Sequence, residues 1–203
     1  MRIQTDEAAI AAAVKAAEAK TSGQIVCVLA RQSGDSTGPA ALYAAIVALL
    51  IPWPLLAATQ WPANLIFAIQ LGVFLAGLLL LGLTPFGVAL LPRRERRRQA
   101  FRLAAEQFYL RGLSRTRHRA GVLIFVSLAE RYAQILADEG LDHKISEAEW
   151  RAAVAELVAH LRAGRITEGF VGAVQTTGDL LARAAPPDGE SDNELPDGLV
   201  KLD

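Results

Sequence analysis

The amino-acid sequence points to a small α/β sandwich split by a two-helix membrane hairpin. Three features lead there. Between Asp35 and Arg93 lie 57 residues without Asp, Glu, Lys, Arg or His. The chain on either side carries short, continuously apolar runs of the kind that form strands covered on both faces. Those runs alternate with segments of helical periodicity that carry capping residues.

The elements follow in order. "TDEAAIAAAVKAAEAK" opens a helix, with Thr5 placed as its N-cap and Asp6 and Glu7 in the first turn. Ile10, Val14 and Ala17 recur at helical spacing, and Gly23 ends the segment. "QIVCVLA" reads as a buried strand. Its Cys27 is the one cysteine, so an intramolecular disulfide is excluded and a buried core thiol is expected.

The uncharged block supplies two spans, Ala41 to Ala58 and Leu65 to Leu91. About twenty apolar residues cross a bilayer. "TQWPAN" is the turn between them, and Trp53 and Trp61 suit an interfacial belt. Pro52, Pro54 and Pro85 kink or end helices there. Gln70, a polar group in the second span, is expected to face the partner helix. The competing readings of this block are a buried soluble hairpin, or a re-entrant first segment. No cleavable leader is expected, because the first long apolar run follows some 40 polar-patterned residues.

"RRERRR" then marks the membrane surface. From Arg93 to Arg119 there are ten arginines against Glu95 and Glu106. Positive residues beside a span favour the cytoplasmic side and sit well against anionic headgroups. A hairpin returns the chain to its starting side. The expected location is therefore the inner, plasma membrane of a bacterium, multi-pass, with both ends and the globular domain in the cytoplasm. A nucleic-acid partner is not expected, because no nucleic-acid fold motif accompanies the arginines.

"RERRRQAFRLAAEQFYLRGL" is helical, with Phe101, Ala104, Ala105, Phe108 and Leu113 as its apolar stripe. Val122 to Leu128 forms a strand, Ala129 and Glu130 a tight turn, and Arg131 to Ala137 an antiparallel return. Ser146 and Glu149 make a capping box for a helix whose Trp150, Val154, Leu157, Val158 and Leu161 share a face. Gly164 ends it. Thr167 is placed as the cap of the last helix, which Pro186 and Pro187 stop. The closing eighteen residues hold six acids and one lysine, and read as disordered. The expected organisation is thus 1–38 and 93–185 as two parts of one domain, 39–92 as the hairpin, and 186–203 as an acidic tail.

"TSGQIVCVLA", "RAGVLIFVSLAERYAQILADEGL", Trp150 and "LRAGRITEGFVGAVQTTGDLLA" together resemble the TPM domain family. That family is named after a thylakoid lumen protein, a photosystem II repair protein and a nematode receptor-modulating protein. The resemblance runs over about residues 5 to 183, nearest a bacterial membrane branch with a hairpin inside the domain. It implies a Rossmann-like sandwich without a dinucleotide loop. Some plant members are described as acid phosphatases and some bind calcium, whereas others modulate or help repair membrane complexes. Many relatives carry the domain outside the cytoplasm. Here the spans lie inside it and the arginines point inward.

In the family an acidic–arginine pair follows the central strand, beside a proposed acidic cleft. Glu130 and Arg131 match it. Asp138 and Asp142 follow the return strand, and with Glu130 they are the candidate metal ligands, an oxygen set of the kind calcium or magnesium takes. Their spacing fits no calcium loop, and a solvated turn is the plainer reading. No other cofactor is expected. Ser127 with Arg131 is a conceivable phosphate-handling pair. His118, His143 and His160 are scattered singly, and neither a cysteine-phosphatase loop nor a P-loop is present. No catalytic residue is assigned.

Three functions compete. A non-enzymatic scaffold or modulator of a membrane complex requires a membrane-protein partner. A divalent-metal phosphatase requires hydrolysis that depends on Glu130, Asp138 and Asp142. A structural homo-oligomer requires a stable homomer after gentle extraction. The first is favoured, because a hairpin is directly useful to a partner-binding module in the membrane.

Overall fold

The structure is a computed structural model that describes residues 5–34, 37–83, 91–187, 195–196 and 198–202. It divides into two compact units, Met1–Gln32 with Ala100–Asp203, and Ser33–Gln99.

The first unit is a four-stranded mixed sheet between helices. Its strands are β1 (Gln24–Ala30), β2 (Gly121–Ser127), β3 (Tyr132–Ala137) and β4 (Leu199–Leu202), in spatial order β3-β2-β1-β4. β1 pairs parallel with β2 and with β4, and β2 pairs antiparallel with β3. Every residue of β1 and of β2 is buried. The alternation of strand side chains explains why. Ile25, Cys27 and Leu29 join Val122, Ile124 and Val126 on one face. Val26, Val28 and Ala30 join Leu123 and Phe125 on the other. The continuous apolar runs in the sequence reflect this double cover.

α1 (Glu7–Glu18), α6 (Glu147–Arg162) and α7 (Ile166–Ala184) close the first face, through Ile10, Val14, Leu157 and Phe170 among others. α1 and α7 approach closely: a Cβ at Gly178 would lie 2.6 Å from the Ala17 Cβ. α5 (Arg93–Leu110) closes the second face with Ala100, Ala104 and Phe108. The expected stripe on this helix is therefore displaced. Phe101 is 46% exposed, because the small Ala100 and Ala104 let the backbone approach the sheet and turn Phe101 away.

Two caps also differ from expectation. Asp6, not Thr5, caps α1, accepting the Ala9 N–H at 3.0 Å. Thr167 does not cap α7. Its hydroxyl oxygen accepts the Asp6 N–H at 3.1 Å and ties the starts of the two helices together. The Ser146–Glu149 capping box is present in full. α6 ends in a Schellman motif, with Arg165 N–H donating to His160 O at 3.0 Å and Gly164 N–H to Leu161 O at 3.1 Å. Gly164 supplies the positive φ of 74° this needs.

The chain end corrects another expectation. Leu199–Leu202 is a strand rather than disordered tail, covering the open edge of β1 in register from Cys27↔Leu199 to Ala30↔Leu202. An unpaired edge on a buried strand leaves its N–H and C=O groups without partners, and β4 supplies them. All six of the tail's acids lie outside the described residues.

Glu149 gives a pH-dependent tie between α6 and α7. A hydrogen bond from Arg183, 2.7 Å away, and then the Ser146 backbone N–H and hydroxyl, hold its carboxyl down at about 2. A depressed folded pKa contributes stability that is present above the unfolded value of 4.5 and lost as pH falls toward about 2. Glu149→Gln should therefore lower the melting temperature at neutral pH. The gap from wild type should close progressively in acid, over that window.

In the second unit, α2 (Thr37–Leu50), α3 (Pro52–Ala58) and α4 (Ala63–Leu83) form an apolar helical hairpin. Two stretches, Gly38–Ala58 and Ala63–Gly82, are long and apolar enough to cross a membrane. The first is broken at Ile51, where Pro52 takes the first helical position and no intrahelical N–H is lost. α2 turns Ala40, Ala44 and Ala48 inward, and a Cβ at Gly77 of α4 would lie 3.2 Å from the Ala44 Cβ. Gln70 lines a groove with Ala45 and Ala48 of α2, as expected of a residue facing its partner helix. The second span expected from the sequence extends to Leu91. Its residues 84–90, with Pro85, lie outside the described residues.

Candidate functional site

The site sits at the carboxyl ends of the parallel strands. β1, β2 and β4 all run in one direction, so Ala30, Ser127 and Leu202 finish at the same edge of the sheet. Ligands of open α/β sheets bind outside such ends. The β2–β3 turn, Leu128 to Arg131, folds over this edge. Its Leu128 N–H donates to Ala30 O and its Ala129 N–H to Arg31 O, each at 3.1 Å.

Arg131 closes the turn by donating its N–H to Leu128 O at 3.2 Å, with a left-handed φ of 52°. Glycine adopts that region without penalty, whereas an arginine there is strained. The strained position aims a long cationic side chain rather than leaving a bare turn. Arg131→Gly should raise the unfolding free energy by about 1 kcal/mol, read as a higher denaturant midpoint. A lowered midpoint would mean that the side chain holds the turn together.

Ser127 and Glu130 are both buried, and the Ser127 hydroxyl donates a hydrogen bond to Glu130 Oε2. Beside them lies a cleft of about 610 Å³ between the turn and α6, lined by Ser127, Arg131, Tyr132, Leu161 and Arg162 among others. A hydroxyl and two guanidinium-bearing residues on one cleft make a set suited to an anion such as a phosphate or carboxylate.

The expected carboxylate trio is not assembled. β3 runs the length of the sheet between Glu130 and Asp138, so the two lie at opposite ends of the hairpin, roughly 20 Å apart at ~3.3 Å per residue. Asp138 donates its N–H to Gly121 O, at the start of β2, at 2.9 Å. Its side chain accepts the Glu139 N–H at 2.8 Å to cap the short 3-10 turn Glu139–Leu141, and Arg119 stands 3.5 Å away. Asp142 ends that turn, far from Glu130. Among the described residues, no three His, Cys, Asp or Glu side chains come together as metal ligands.

Of the residues singled out in the sequence, Ser127, Glu130 and Arg131 converge, with Glu130 accepting the serine hydroxyl. Arg162 joins them without having been singled out. It is the last residue of α6, and only its position in the final turn before Gly164 marks it. Cys27 is fully buried, and burial, reinforced by the Glu18 charge, pushes its thiol well up, so it stays protonated and inert.

The fold and cleft define an α/β sandwich with its site at the strand ends, in a chain that also holds an apolar hairpin. Residues 86–180 match the family model of the TPM domain. The match covers the sheet's β2–β3 half with α5 to α7 and leaves out α1 and β1, which the hairpin separates from it. The fold is similar to the solved NMR structure of the BA42 protein from the psychrophilic bacterium Bizionia argentinensis. The TM-score is 0.58 at 18% identity, covering 96% of this chain and 91% of that one. No curated protein matches the chain.

Proposed function

We propose that this is a multi-pass plasma-membrane protein with its TPM domain and both ends in the cytoplasm, acting as a non-enzymatic scaffold or modulator of a membrane-protein complex. One observation carries the reading. Only Ala40, Ala44 and Ala48 of the first apolar stretch and Ile66 of the second are buried, and large side chains such as Leu42, Leu49, Phe67, Leu71 and Leu79 are exposed. A hairpin in water would expose an apolar surface far beyond the patch a soluble monomer tolerates. Hydrocarbon lipid removes that cost, and Trp53 and Trp61, both exposed near the hairpin's turn, suit the headgroup level. The arginines after the hairpin support the cytoplasmic orientation.

Crosslinking in native membranes tests the reading. A specific membrane protein should attach to the hairpin or to the domain. Attachment of further copies of the chain alone would favour a structural homo-oligomer instead.

A second reading is favoured by the cleft itself. Ser127, polarised by Glu130 and flanked by Arg131 and Arg162, is a candidate phosphoester site that needs no metal at Asp138 or Asp142. If nothing specific crosslinks while the pure protein hydrolyses a phosphoester, and Ser127→Ala abolishes the hydrolysis, the enzyme reading replaces the scaffold.

A further inference from the structure

α5 has a second face that its packing does not use. Ala100, Ala104 and Phe108 bury one side of the helix against the sheet. On the other side Arg94, Arg98 and Arg102 recur every four residues, and Phe101 and Tyr109 fall on the same stripe. All five are exposed, Tyr109 at 68%. The stripe runs roughly 22 Å along the axis.

We propose that this face of α5 lies flat on an anionic lipid surface, with the three guanidinium groups on headgroup phosphates and Phe101 and Tyr109 at the headgroup–acyl boundary. The proposal rests on the membrane-anchored reading. Three things support lipid as the occupant. Guanidinium forks pair with phosphate oxygens, which gives charge complementarity. Tyrosine suits the headgroup level, where one end of the ring is apolar and the other wet, and Tyr109 and Phe101 lie exposed among the arginines. The third is the tether: nine residues separate Leu83, the end of α4, from Arg93. A linker of that length keeps the start of α5 within about 35 Å of the end of the second span. A bilayer holding the hairpin is thus always within reach, whereas a soluble polyanion has to be recruited.

The consequence is that lipid charge controls how the TPM domain is held. Over a neutral bilayer this face of α5 finds no phosphate charge to hold it. Over an anionic one the domain is docked along α5. Each arginine near an anionic surface contributes about 1 kcal/mol, so three shift the ratio of docked to undocked forms by about a hundredfold.

The test uses the full chain reconstituted in vesicles, with a fluorophore on Tyr109→Cys or on Leu75→Cys. Cys27 is buried and does not compete for the label. Vesicles are phosphatidylcholine alone or phosphatidylcholine mixed with phosphatidylserine, with a nitroxide quencher on the headgroup or in the acyl chain. The position-75 label reports the anchor and should be quenched by acyl-chain nitroxide in both vesicles. The position-109 label should be quenched by headgroup nitroxide only with phosphatidylserine, and Arg94→Gln/Arg98→Gln/Arg102→Gln should remove that quenching while leaving position 75 unchanged. Loss of quenching at 75 would mean that the anchor itself is wrong. With 75 intact, quenching at 109 that is absent, indifferent to lipid charge or indifferent to the triple substitution overturns the docking proposal. So does a position-109 response to a soluble oligonucleotide but not to anionic vesicles.

Discussion

Leu71→Arg combined with Leu75→Arg abolishes stable membrane insertion. Both residues lie near the middle of α4, one turn apart, and are 58% and 53% exposed. An arginine at the centre of a spanning helix costs about 2.5–3.5 kcal/mol on insertion scales, so the pair costs roughly 5–7 kcal/mol. Both side chains are more than half exposed and neither takes part in the close approach of Ala44 and Gly77, so that helix–helix contact is kept. Fractionation of cells expressing the variant should show the chain lost from membranes, as aggregate or degraded protein. If the hairpin stood in water, the same changes would place charges on an exposed surface, where substitutions stay within about 0.5 kcal/mol. They would then improve solubility. The two environments thus give opposite signs from one variant.

Phe125→Ala lowers the stability of the α/β domain by about 3–5 kcal/mol. Phe125 is fully buried in the core between the sheet and α5, against small residues that are poorly placed to collapse into the space it vacates. Phe101→Ala is its control. Although the two residues are alike in chemistry, Phe101 lies on the outer face of α5, and its loss should change the unfolding free energy by less than about 0.5 kcal/mol. Denaturant unfolding in detergent, followed by circular dichroism, reads both. Equal effects would mean that α5 packs through the stripe expected from the sequence instead.

The difference at Phe101 shows where sequence patterning reaches its limit. β1 and β2 are legible because a strand covered on both faces has no polar positions. The hairpin is legible because 57 residues without a charge leave a soluble fold too little to present to water. The capping box at Ser146 is legible because its partners are three residues apart. Thr5 and Thr167 have cap chemistry too, but a contact across the fold, Asp6 to Thr167, decides their roles. On α5, apolar size suggests Phe101 as core, whereas closeness to the sheet selects alanines. β4 is four residues in an acidic, proline-containing stretch, and only the unpaired edge of β1 calls for it.

The candidate site divides in the same way. Ser127, Glu130 and Arg131 are close in sequence and share a turn, so their convergence is partly visible there. Arg162 reaches the cleft from another helix, and no local pattern signals that. Sequence proximity groups Asp138 and Asp142 with Glu130. One antiparallel strand is enough to carry a residue to the opposite end of a sheet, and β3 does so.

The most direct measurement is the accessibility of a spin label at Leu75→Cys in reconstituted vesicles, compared with one at Arg98→Cys. Hydrocarbon around the hairpin predicts that dissolved oxygen relaxes the label at 75 strongly while a water-soluble paramagnetic complex does not reach it, with the reverse at 98. A label at 75 that the water-soluble complex relaxes as readily as the one at 98 would contradict the membrane hairpin, and with it the location, orientation and partners argued from it.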